Sequence, residues 1–102
     1  MNIVQKKWDE IIQKLKIEYD ILDVSFKTWI LPLKVSSVKD STVYIIVPLK
    51  AYVDVITKKY LLSLKVCIAE ITGEEYDIVL IPEEEYEQEE IMEEPVVNKK
   101  YK

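Results

Sequence analysis

The side chains that carry most protein chemistry are nearly missing from this sequence. It holds no His and no Arg, a single Cys (Cys67) and a single Gly (Gly73). Without imidazole the chain lacks the usual neutral-pH base, the commonest metal ligand and any Ser-His pair. One glycine cannot build a phosphate-cradling loop, which needs several within a few residues. Cys67 remains as a candidate nucleophile, but it falls on the apolar stripe of a helix. A thiol there behaves as a small hydrophobe rather than a reactive group. The glutamates near the end of the chain follow no spacing that would define a cation site. No catalytic, metal or cofactor-binding residue is expected, and the chain does not read as an enzyme. Binding is the chemistry left.

The charge distribution narrows what could be bound. Residues 1–82 carry eleven Lys against eleven Asp or Glu, whereas residues 83–102 carry eight Glu against three Lys, so the end of the chain supplies the whole net charge of −5. Arg is the residue suited to bidentate contact with phosphates and guanine edges, and its absence argues against specific DNA reading. Nucleic-acid binding is expected to be weak or absent. A lone cysteine fits a reducing, cytoplasmic setting. Nothing resembles a signal peptide, and no apolar run approaches the ~20 residues that span a bilayer, so no membrane partner is expected.

A chain of 102 residues, 49% of them hydrophobic, suits one domain with one core. Val4, Trp8, Ile11, Ile12, Leu15, Tyr19 and Leu22 recur at helical pitch, which predicts an amphipathic helix over 4–22. Ile17 and Ile21 lie off that stripe and must touch the next element or stay exposed. Ser25 reads as the N-cap of a short second helix, with Phe26, Trp29 and Ile30 on one face and Pro32 as its stop. Pro32 should also push Leu31 towards extended geometry. Leu33, Val35 and Val38, then Val43–Val47 beyond the polar Lys39-Asp40-Ser41, predict two antiparallel strands.

Pro48 is placed to open a third helix, whose stripe runs from Leu49 through Val53, Ile56, Tyr60, Leu64, Cys67 and Ile68 to Ile71. Gly73 reads as its left-handed C-cap. A second apolar set, Ala51, Val55, Leu62 and Ala69, means either that this helix is sandwiched or that it presents a partner strip. A break near Tyr60-Leu61-Leu62 would decide between them. Tyr76–Ile81 predicts a third strand, ended by Pro82. The order is α-α-β-β-α-β, an α+β domain over residues 1–82 with helices on a three-stranded sheet. Residues 83–102 form a self-repelling acidic tail, expected to be disordered.

Four motifs in order carry a resemblance. They are Ser25-Phe26-x-Thr28-Trp29-x-x-Pro32-Leu33, the strand end Val47-Pro48, Lys59-Tyr60-Leu61 and Ile71-Thr72-Gly73-Glu74-Glu75. Together with Trp8 they resemble the N-terminal domain of the bacterial chromosomal replication initiator family, DnaA, over about residues 5–82. The resemblance implies a K-homology-like fold and a protein-interaction module. Its partners would be the full initiator, the replicative helicase or a regulator of initiation, and it could pair with a second copy.

Trp8 matches the family's self-association tryptophan, although its place mid-stripe equally suits core packing. The partner surface maps onto Ser25 and Phe26 and onto Ala51, Tyr52 and Val55, although the spacing of Phe26 and Trp29 favours core packing for both. Two departures stand out: Pro48-Leu49-Lys50-Ala51 replaces Pro-Asn-x-Phe, and Val55 stands where Trp is common. Losing two aromatics from one face should weaken or redirect binding, with Tyr52 the nearest substitute. The chain also stops where the initiator's linker, ATPase and DNA-binding domains would begin, so it reads as a free-standing homologue or as the excised domain. The alternative function is a K-homology-like binder of single-stranded nucleic acid. The missing Gly-x-x-Gly loop, the absent Arg and the acidic tail weigh against it.

Overall fold

A computed structural model describes residues 2–85. Two helical pieces stand where one helix was expected: α1 (Ile3–Lys6) and α2 (Trp8–Glu18). Asn2 caps α1, its side chain accepting from the Val4 amide at 2.7 Å while Gln5 accepts from the Asn2 amide at 3.1 Å, a capping box. Lys7, at φ −104 and ψ 16, leaves helical geometry and separates the two. α2 stops four residues short of Leu22, because Asp20 turns left-handed at φ 53. Tyr19 and Leu22 consequently leave the stripe and are exposed, as is Ile17, whereas Ile21 packs against the core.

The next element departs further from expectation. Ser25 is not a cap: its backbone is already helical at φ −67 and ψ −39. The helix opens two residues earlier, with α3 (Asp23–Ser25) preceded by the extended Leu22. It continues as a π-helical turn, Phe26–Ile30, closed by the Leu31 amide donating to the Phe26 carbonyl at 2.8 Å. Pro32 does stop it, but Leu31 keeps helical angles rather than becoming extended. The wider i→i+5 ring is how the chain enters the proline in a helical conformation.

β1 (Lys34–Lys39) and β2 (Thr42–Val47) form the expected hairpin, joined by Asp40 and Ser41 at φ 50 and φ 62. Positive φ at both loop residues is the primed geometry whose twist matches that of the strands. Beyond Pro48, Leu49 is extended at φ −137 and caps α4 (Lys50–Lys59), so Pro48 lies before the helix rather than in its first turn. Tyr60, at φ −126 and ψ −17, breaks the long helix and α5 (Leu61–Thr72) follows. The stripe read as one helix therefore belongs to two. Gly73 ends α5 in the left-handed region at φ 82, as its type suggests.

β3 (Asp77–Pro82) pairs with β2 in parallel, giving a mixed sheet in the order β1-β2-β3. The parallel pair needs the long crossover that α4 and α5 provide. Val43, Ile45 and Val47 meet Ile11, Leu15, Ile30, Ile56, Leu64 and Ile68 in one core, all fully buried. The fold is thus α+β with helices on a three-stranded sheet. No described helix is long and apolar enough to cross a membrane. The acidic segment expected beyond residue 82 lies, from residue 86 on, outside the described residues.

Candidate docking surface

Two segments distant in sequence are joined by one aromatic contact. The Trp29 ring on the π turn meets the Tyr52 ring on α4 edge to face, with centroids 4.7 Å apart and planes at 61°. Such a pair contributes about 0.5–1.5 kcal/mol beyond its area. It also fixes where the first turn of α4 stands relative to Ser25–Ile30. Both rings are half-buried, and in the chain they are flanked by Leu31, 52% exposed, and Leu49, 53% exposed.

The expected site residues divide around this pair. Ala51 is exposed beside Tyr52, while Val55, one turn on, is half-buried. Ser25 is half-buried on α3. Phe26 is a correction: at 5% exposed it belongs to the core and cannot itself meet a partner. Its role is to hold position, with the Lys16 ammonium 5.8 Å above its ring. The same ammonium lies 2.7 Å from Asp23, and it holds that carboxyl below the usual aspartate range. Lys16 thereby ties α2 to the start of α3. Trp8, at the head of α2, is half-buried against the core. It stands eight residues before Lys16, about 12 Å along the helix axis, so it belongs to a different patch.

Trp29 packs against the core, as its i, i+3 spacing with Phe26 suggested, but it is only half-buried and its ring also reaches Tyr52 of α4, a contact that no spacing within the segment announces. The exposed aliphatics Leu22 and Val24, each 73% exposed, stand just before and within α3. The second set on the long helix also separates. Leu62 is 75% exposed and borders a shallow groove of about 210 Å³ with Val66, Ala69, Lys65 and Glu75, whereas Ala51 and Val55 lie beyond the break at Tyr60.

Cys67 is fully buried, and burial, aided by Glu18 and Glu70, pushes its thiol up to about 11. Among the described residues no cluster of acidic or thiol groups could hold a metal ion. A groove of about 280 Å³ between α4 and β3 is lined by Val53, Leu80 and Pro82 with the charged Lys50, Asp54 and Glu85, of which Lys50 and Glu85 face each other at 3.9 Å.

Comparison with known proteins bears on what this surface meets. A family model described as the DnaA N-terminal domain matches residues 5–70. The chain is also 40% identical over 84 residues to a chromosomal replication initiator protein DnaA from Lachnoclostridium phytofermentans; the match spans 78% of this chain and 18% of that protein. The chain thus corresponds to less than a fifth of that relative's length.

Proposed function

The chain belongs to the DnaA N-terminal domain family, and from that premise we propose that it is a docking module in the initiation of DNA replication. It acts by contact and not by catalysis. The full initiator, the replicative helicase or an initiation regulator would sit on the surface joined by Trp29 and Tyr52, with exposed Ala51 at its centre. Trp8 would serve self-association, and the setting would be cytoplasmic. The observation that carries this reading is the Trp29–Tyr52 contact, because it makes one continuous surface from the two segments that the family match spans. Exposed Leu31 and Leu49 beside it supply apolar area that the missing family aromatics no longer provide.

The test is capture of partners from the source cell, comparing the native chain with Ala51→Lys and Trp8→Ala. Ala51 is exposed, so a lysine there leaves the fold intact while placing a charge at the contact. Capture of replication proteins by the native chain, lost in Ala51→Lys, is the expected result. Recovery of no replication protein by the native chain would sink the reading. Trp8→Ala should reduce self-association and leave the far-UV spectrum unchanged; wholesale unfolding would assign Trp8 to the core instead.

A further inference from the structure

The sheet has a second face that the helices do not use. Val43, Ile45 and Val47 of β2 and their β3 neighbours Ile78, Leu80 and Pro82 turn towards the helical layer. Side chains alternate along a strand, so the intervening residues share the opposite face. The registers arrange them in three rows across the strands: Lys39, Thr42, Asp77; then Ser37, Tyr44, Val79; then Lys34, Ile46, Ile81. Tyr44, Ile46, Val79 and Ile81 form an apolar square, none of them in the buried core, with Val79 40% exposed. Charge is confined to the rim, with lysines only on β1 and the carboxylate only on β3.

We infer that this open sheet face is a contact surface for a second copy of the same chain, packed sheet on sheet about a two-fold axis parallel to β2. The rim charges select that axis. Rotation about β2 lays β1 of one copy over β3 of the other and keeps each row over itself, so Lys39 stands over Asp77 of the copy, twice. Rotation about the perpendicular in-plane axis lays β1 over β1 with rows reversed, which sets Lys39 over Lys34. Opposite charges attract across such an interface and like charges repel, so the first arrangement is favoured over the second. Asp77 is available for this: its side chain is 77% exposed even though Lys65 reaches it at 3.2 Å. Strands at 4.8 Å spacing and rows about 7 Å apart make the patch roughly 300 Å² a side. That is well below the ~800 Å² per partner of a stable complex, so the pairing is weak and matters where copies are already gathered. It deepens the docking reading and rests on it in supposing that copies are brought together.

The experiment is a dilution series of the full chain, followed by sedimentation and by backbone amide NMR signals. Signals of Tyr44, Ile46, Val79 and Ile81 should shift with concentration. Ile46→Lys and Val79→Lys should each weaken dimerisation about tenfold or more, with an unchanged far-UV spectrum. Ile46→Cys should cross-link to its own copy through a short bis-maleimide, since position 46 faces itself only about the axis parallel to β2; buried Cys67 does not compete. Signals that stay fixed on dilution, whether because the face is bare or because the chain's own acidic end covers it, would overturn the inference. So would failure of the cross-link. Trp8→Ala, run in parallel, separates the two readings. Sheet signals that still respond to concentration there support the sheet contact whatever partner capture shows, and signals that lose the response overturn it.

Discussion

At the scale of single residues, burial decides which side chains are free to act. Cys67 is buried on α5 with a thiol pushed up to about 11, so a thiol reagent should leave the native chain unmodified and label it only as it unfolds. Tyr76 is 6% exposed and its hydroxyl donates to a Glu74 carboxylate oxygen at 3.1 Å. Burial first, and Glu74 second, hold the phenol above its ordinary value. Since the folded state favours the protonated phenol, its contribution is complete below the ordinary tyrosine value of about 10 and is lost as pH rises past the folded value. Urea denaturation at increasing pH should show stability falling above about pH 10, more steeply than in Tyr76→Phe. Gly73 makes a different point: at φ 82 a Cβ would meet open space, so Gly73→Ala carries only backbone strain. Its expected cost is about 1–2 kcal/mol, read from the denaturation midpoint. The glycine's role was legible in the sequence because it stands alone at the end of an apolar stripe. Phe26's was legible only in part: its spacing favoured the core, where it lies, while the family resemblance mapped it onto the partner surface.

At the scale of elements, three local irregularities place the surface residues. The hairpin loop holds Ser41 at φ 62, a position that glycine occupies without strain. Ser41→Gly should stabilise the fold by about 0.5–1 kcal/mol, the relieved strain outweighing the added freedom of the unfolded chain; a lower thermal midpoint would contradict this. The π turn is the second irregularity, and the Trp29–Tyr52 pair is its consequence. A double-mutant cycle with Trp29→Ala and Tyr52→Ala should return a coupling of about 0.5–1.5 kcal/mol. The third is the break at Tyr60, which separates Ala51 and Val55 from Leu62 and Ala69 and so makes two apolar strips from one. Periodicity found the apolar residues around the π turn and around the Tyr60 break. The dihedral changes at Lys7 and Phe26–Ile30 left almost no trace in residue type, because neither uses Gly or Pro at the break itself, whereas the break at Tyr60 falls where the two apolar sets of the long stripe called for one.

At the scale of the molecule, β3 completes the fold. Its six residues pair with β2 along its whole length, and Lys65 of α5 reaches Asp77 at its start. A chain ended at Glu75 would lose that pairing, the buried Tyr76 and the inner face of Ile78 and Leu80, and calorimetry should show no cooperative transition. The helices cover one face of the sheet and leave Tyr44, Ile46, Val79 and Ile81 on the other. The proposed docking and pairing therefore draw on separate places among the described residues: the Trp29–Tyr52 contact, Trp8 and the sheet face away from the helices. Weak contacts on separate faces can add when several copies assemble, without any one being strong.

Composition and periodicity settled the fold class, the element order and the absence of histidine chemistry, because amphipathic stripes and missing residue types are local properties of the chain. The family motifs added the expectation of a docking module. Only the folded chain decided that β3 runs parallel to β2, that Trp29 packs against the core while also meeting Tyr52, that Phe26 stays inside and that the described helices cover a single face of the sheet. Each of these depends on which segments meet across long separations in sequence, and no spacing within a segment encodes that meeting.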